Sequence, residues 1–191
     1  MTFTEDWYGW DQCNDLCSLA ESIKELQGNY VEIGCWEGKS THRLTNAIYP
    51  QKLICNDTWM GNVAESMMSG ETHITEIILA QRDVYKTFVE NMDKLTRGNF
   101  NIVREDCLKW LETYPEKIKF CHIDASHEYE SVYKTIELLK PKLVPGAILC
   151  GDDYLSSNLD RHDLHGGVER AVKEHFGQVE NLGQLWYWKN V

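Results

Sequence analysis

The run Val31-Glu32-Ile33-Gly34-Cys35-Trp36-Glu37-Gly38-Lys39-Ser40 constrains this chain more than any other. A short stretch rich in β-branched residues meets two glycines four residues apart. A segment of helical spacing, Ser40 to Ile48, then stops before Pro50. Glycine adopts backbone conformations closed to other residues and lets a ligand approach the main chain, and the N–H groups at a helix start can hold polar atoms. Strand, tight turn and helix in that order form the opening unit of a layered α/β structure. Glu32 stands near the strand's end, where an acid suits a positively charged nucleoside better than one bearing phosphates.

The alternation recurs along the chain. Leu16 to Leu26 has helical spacing and ends at Gly28. Strands are predicted at Tyr30–Ile33, Leu53–Cys55, Phe100–Val103, Lys119–Ile123 and Ala147–Cys150. Helices are predicted at Arg82–Lys94, Leu108–Thr113, Tyr129–Leu139 and Gly166–Phe176. Gln178–Glu180 and Leu185–Trp188 flank Asn181-Leu182-Gly183-Gln184 and read as a hairpin. Repeated β-α units predict a three-layer, Rossmann-like α/β fold with a mostly parallel sheet. The reading is one domain over 1–191, with 1–28 as an N-terminal helical cap and 58–97 as an insert placed to cover a site. Ligands of such sheets bind at the carboxyl ends of the strands, near the point where strand order reverses. Asp57, Asp106, Asp124 and the pair Asp152-Asp153 all fall at such ends.

Composition narrows the partners. With 19 Lys and Arg against 30 Asp and Glu, the formal net charge is −11. Nucleic-acid binding draws on Lys and Arg against phosphates, so DNA and RNA are not expected and a small neutral or cationic substrate is. No apolar run reaches the length of a membrane span. The N-terminus has neither the basic start nor the apolar stretch of a secretion signal, so the expected location is cytoplasmic. The seven cysteines are scattered with no C-x-x-C pair, which predicts free thiols in a reducing compartment; Cys35, Cys55, Cys121 and Cys150 lie in or beside strands, as small buried hydrophobes do.

Three ligand classes compete for the glycine turn. A phosphate-binding P-loop needs G-x-x-x-x-G-K-[ST]; here the spacing is one residue short and Glu37 stands inside the loop. A dinucleotide fingerprint needs G-x-G-x-x-G, and Trp36 holds the middle glycine's place. S-adenosylmethionine, a sulfonium nucleoside, meets neither objection. Asp57 has two acceptor oxygens for two vicinal ribose hydroxyls. Asp106, followed by Cys107, is read either as a partner of the adenine amino group or as a helix N-cap. A turn that binds nothing is the remaining reading.

These residues carry a resemblance. Val31-Glu32-Ile33-Gly34 with Gly38 and Ser40, Asn56-Asp57-Thr58-Trp59 with Gly61, and His122-Ile123-Asp124-Ala125-Ser126-His127-Glu128-Tyr129 come first. Leu143-Val144-Pro145-Gly146, Gly151-Asp152-Asp153-Tyr154 and Gly167-Val168-Glu169-Arg170-Ala171-Val172 follow. In this order the chain resembles class I S-adenosylmethionine-dependent methyltransferases, and among them small O-methyltransferase domains like the macrocin group. The resemblance implies a seven-stranded sheet with an antiparallel C-terminal hairpin. It implies cofactor contacts at Glu32, Gly34, Gly38, Asp57 and Asp106, with Cys35, Trp36, Ser40, Thr58, Trp59, Cys107 and Asp124 beside them. Some relatives use magnesium, held by an acid after the fourth strand and a pair after the fifth; Asp124, Asp152 and Asp153 have those places here. The macrocin group carries an acid where this chain has Ser126, and the catechol type a lysine where it has His127.

The chemistry agrees with that implication without fixing it. An alcohol is a poor nucleophile until its proton leaves or its pKa falls, and a divalent metal can lower it. Magnesium takes oxygen ligands and keeps several waters, so the three aspartates suit it. The other reading is that Asp152-Asp153 cap a loop while one carboxylate positions substrate. His127 titrates near neutrality and is the candidate base, with a purely structural helix-start role as its alternative. His162 and His165 follow in a loop. Trp7-Tyr8-Gly9-Trp10 and Trp59, Met60, Met67 and Met68 cover the site or pack in a core or homodimer contact. The expected function is O-methylation of a small hydroxylated molecule such as a sugar or glycoside; the alternative is a cofactor-binding domain of the same fold without activity. Trp36 opposes a dinucleotide-dependent oxidoreductase.

Overall fold

A computed structural model of the chain describes residues 3, 10–62, 72–154 and 166–191. The elements run α1 (Trp10–Ser22), β1 (Asn29–Ile33), α2 (Lys39–Ala47), β2 (Leu53–Asn56), α3 (Ile74–Gln81), α4 (Val84–Leu95), β3 (Phe100–Val103), α5 (Cys107–Thr113), β4 (Ile118–Ile123), α6 (Tyr129–Leu139), β5 (Leu143–Gly151), α7 (Gly166–Phe176), β6 (Glu180–Leu182) and β7 (Leu185–Lys189). The strands form one seven-stranded sheet of order β3-β2-β1-β4-β5-β7-β6. The first five are mutually parallel, and β7 is antiparallel to β5 and β6. Strand order reverses between β1 and β4, which puts the switch point of the sheet there.

Helices cover both faces. On one, Leu16 and Ala20 of α1, Leu44 of α2 and Phe88 and Met92 of α4 pack with Tyr30, Leu53 and Phe120 from the strands. On the other, Leu111 of α5, Ile136 of α6 and Ala171 of α7 pack with Val31, Ile33 and Cys121. Alternate residues of one strand therefore enter different cores, as the two-residue period of a strand requires.

The pairing register builds the site. Ile33 pairs with Asn56 on one side and Ile123 on the other, and Ile123 pairs with Gly151. Gly34, Asp57, Asp124 and Asp152 each follow one of these four residues, so they leave the sheet side by side. The backbone ladder continues one step past the strands: Gly34 N–H donates to Asn56 O (2.9 Å), Asp124 N–H to Ile33 O (2.8 Å) and Asp152 N–H to Ile123 O (3.1 Å).

Three sequence expectations shift. Helix α1 spans Trp10–Ser22, not Leu16–Leu26, because Cys13 joins Leu16 and Ala20 on one buried stripe and the chain turns away well before Gly28. The hairpin turn is two residues shorter than expected: Asn181 and Leu182 belong to β6, and the reversal falls at Gly183 (φ +63°) and Gln184. The insert contains α3, which its apolar run Ile74–Gln81 forms in addition to the expected later helix. No helix among the described residues is long and apolar enough to cross a membrane.

At the amino end of β4 a lysine is buried. Lys119, 2% exposed, donates from Nζ to the carbonyls of Lys24 (3.1 Å) and Leu26 (2.7 Å) and to Oε1 of Gln51 (2.5 Å). The ammonium also lies 4.5 Å from the centroid of the Tyr30 ring. It ties the chain leaving α1 to the sheet, and its removal strands buried acceptors. Lys119→Met is expected to cost about 2–4 kcal/mol in urea unfolding while leaving ligand binding at the far edge unchanged.

Candidate functional site

A cavity of about 620 Å³ opens at the carboxyl edge of the sheet. That is ordinary for a small-molecule site, where about 300–1,000 Å³ is typical. Its wall includes the glycine turn, the ends of β2 and β3, the start of α3, the β4–α6 loop and the acids after β5.

Gly34 holds the first corner. Its φ is +89°, and a Cβ placed on it would lie 1.8 Å from the carbonyl oxygen of Asp124 and 2.3 Å from the carbonyl carbon. Only glycine lets the turn after β1 touch the backbone after β4. Gly38, at φ +85°, caps the start of α2 and packs against Phe88 and Met92.

Asp57 ties the turn together. Its Oδ2 accepts from the N–H groups of Cys35 and Trp36, each at 2.8 Å, and its Oδ1 from the N–H of Trp59 at 2.7 Å. Trp59 Nε1 donates to Trp36 O (2.7 Å). Trp36 and Trp59 both have positive φ, +45° and +54°. Conformations of that kind cost roughly 1–3 kcal/mol each and persist only where surrounding contacts impose them. Burial pushes the Asp57 carboxyl upward, against the three N–H donors that lower it. A second tie holds the next residue: Glu37, 1% exposed, pairs with Arg82 (2.5 Å), and Asn91 Nδ2 donates to its carbonyl (2.9 Å).

Of the residues expected around the cofactor, Gly34, Cys35, Trp36, Ser40, Asp57, Thr58, Asp106, Cys107 and Asp124 line the cavity. Glu32, Gly38 and Trp59 stand behind its wall. Glu32 is fully buried; its Oε1 accepts from Ser40 Oγ (2.7 Å) and lies 3.1 Å from Nδ1 of His122, and its Oε2 has no partner. Alternation along β1 turns Glu32 into the α1–α2 layer, away from the open edge. Asp106 caps α5, accepting from Lys109 N–H at 3.1 Å, and it also lines the cavity.

The acids at the β4 and β5 ends crowd together. Single ligand atoms of Asp124, His127 and Asp153 lie within 4.8 Å of one another. His127 Nε2 is 2.6 Å from Asp153 Oδ2, and Asp153 reaches it from a positive φ of +60°. Burial, followed by the charge of Asp152, raises the Asp124 carboxyl to about 8. Burial and the charge of Asp153 raise Asp152 to about 6. Asp152, expected beside Asp124 and Asp153 as a metal ligand, is not in the close set; it accepts instead from the side-chain amide of Gln12 in α1. His127 takes its place.

Sequence reasoning missed Gln12, and it missed Phe3, Asn62, His73, Ser131 and Thr135, which also line or reach the site. Ser131 and Thr135 stand four apart on α6, a spacing that could have marked them as one polar face. Trp7, Tyr8, Gly9, Met67, Met68, His162 and His165 lie outside the described residues.

Two measurements test this geometry. Gly34→Ala is expected to abolish ligand binding in titration calorimetry and to lower stability by more than about 3 kcal/mol, since the Cβ meets backbone. The Asp124 carboxyl holds a proton in the folded chain that the unfolded chain releases near pH 4, so its contribution to stability falls as pH rises from about 4 to about 8. Asp124→Asn is therefore expected to flatten the dependence of Tm on pH in that window and to be the more stable form, by roughly 1–3 kcal/mol, at pH 8.

A family model described as a methyltransferase domain matches residues 31–154. No curated protein matches the chain. Among solved structures, the O-methyltransferase NovP superposes with a TM-score of 0.71 at 18% identity, over 96% of this chain and 81% of that one. CalS11, a TDP-rhamnose 3'-O-methyltransferase of calicheamicin biosynthesis, gives 0.58 at 16%, over 95% and 80%. A protein from Staphylococcus aureus described as a putative caffeoyl-CoA O-methyltransferase gives 0.67 at 13%, over 96% and 84%. At these identities the likeness is one of fold.

Proposed function

The chain belongs to the methyltransferase-domain family and is an S-adenosylmethionine-dependent methyltransferase, and from that premise we propose that it methylates a hydroxyl oxygen of a small molecule. The observation that carries the reading is the backbone contact between the Gly34 turn and Asp124, both of which line one cavity. In this proposal the sulfonium nucleoside lies along Gly34–Trp36, with its ribose toward Asp57 and its adenine toward Asp106 and Cys107. The acceptor lies beside Asp124 and His127. Most of the rate then comes from holding oxygen, methyl carbon and sulfur in line.

The donor set suits a divalent cation. Two carboxylates and an imidazole converge, and burial, helped by the charge of Asp152, keeps a proton on Asp124 to about pH 8, a state that a cation would reverse. Magnesium or manganese held by Asp124, His127 and Asp153 would lower the pKa of an acceptor hydroxyl. A second reading rests on the 2.6 Å contact of His127 with Asp153. That carboxylate orients the imidazole, which would act as the base for the acceptor's proton without metal. The fold-retaining but inactive alternative would bind cofactor and turn nothing over.

Calorimetric titration is expected to show S-adenosylmethionine and S-adenosylhomocysteine binding, with no binding of NAD or ATP. Asp57→Ala, which strands three N–H groups of the turn, is expected to weaken both by more than about tenfold. With a hydroxylated acceptor, a chelator is expected to cut transfer at least about tenfold and Mg2+ to restore it. A rate indifferent to chelator would favour the His127–Asp153 base.

A further inference from the structure

Resting on the reading that this cavity holds the methyl acceptor, we propose that the acceptor is an uncharged or cationic hydroxyl compound and that the site rejects anionic acceptors such as nucleotide-linked sugars and acyl thioesters of coenzyme A. The cavity wall has eight carboxylate side chains, and Lys39 is its single lysine or arginine among the described residues. Glu37 is paired with Arg82. The rest lie around the whole opening: Asp57 at the β2 end, Glu105 and Asp106 at the β3 end, and Asp124, Glu128, Asp152 and Asp153 across from them. With Asp124 protonated, or with a divalent cation held by Asp124, His127 and Asp153, the described residues would still leave the balance negative.

A concave site of low dielectric concentrates the field of its charges, so it attracts ions of one sign and repels the other. A diphosphate needs arginine or lysine forks, or N–H groups at a helix start. Ahead of α2, the N–H groups of the turn at Cys35 and Trp36 are already given to Asp57. The wall instead includes the apolar side chains of Ile33, Ile74 and Val132, and Ile74 is 45% exposed. These side chains suit the apolar body of an acceptor better than a phosphate. A site lined by an excess of one charge selects against a ligand of the same sign as effectively as new contacts select for one.

The test uses the full chain loaded with S-adenosylhomocysteine and three catechols of nearly one shape: dopamine, 4-methylcatechol and 3,4-dihydroxybenzoate. Binding is followed by calorimetry and by NMR at low and high salt. The anion is expected to bind at least about tenfold more weakly than the neutral compound, and the gap to shrink at high ionic strength, as screening requires. Glu128→Lys, on the acceptor side, is expected to recover about tenfold in the anion's binding, with the thermal midpoint as the check on folding. Methyl transfer from labelled S-adenosylmethionine to TDP-rhamnose or caffeoyl-CoA in preference to the uncharged catechol would overturn the proposal, as would equal binding of anion and neutral compound. Failure of S-adenosylhomocysteine to bind the wild-type chain would instead remove the functional reading beneath it.

Discussion

Backbone contact between the turn after β1 and the turn after β4 is the constraint on which the rest of the site depends. At Gly34 the space normally filled by a Cβ is filled by the Asp124 carbonyl. The two loops are therefore set by main-chain packing, and the side chains they present inherit a fixed separation. Because Asp124 N–H also completes the ladder to Ile33, neither loop can move without breaking the sheet at its switch point. Rigid support of this kind places reactive groups more accurately than a loop alone.

Beneath that contact lies a polar layer within the sheet. Glu32 pairs in register with His122, and both are fully buried on the face toward α1 and α2. Ser40 at the start of α2 joins them through its hydroxyl. Buried charges are costly unless they are paired and hydrogen-bonded, so this cluster is a specification of geometry more than a source of stability. It locks the first turn of α2 to β1 and β4 together. The acid that looked like a ligand contact in the sequence is thus part of the support on which the ligand contacts stand.

How much was legible follows from this. The strand ends could be read because a parallel sheet brings the residue after each strand to the same edge; Gly34, Asp57, Asp124 and Asp152 needed only correct strand ends to be found. The direction of Glu32 could not be read. Strand β1 is covered on both faces, so its apolar pattern does not mark which alternate residue looks outward. Its partner His122 stands 90 residues away, and register is not written in either strand alone. Asp57 was read as a ligand acceptor, and its three backbone donors became visible only once the turn closed around it. Gln12 carried no signal, since one polar residue in an amphipathic helix is ordinary.

That glutamine gives the reactive edge a dependence outside its own motifs. Asp152 answers to a side chain on α1, ahead of the stretch 31–154 that carries the family pattern. Descendants of such a gene can therefore retune one acid by drift in a helix that motif-based surveys pass over, and two relatives with identical strand ends need not share the same protonation chemistry.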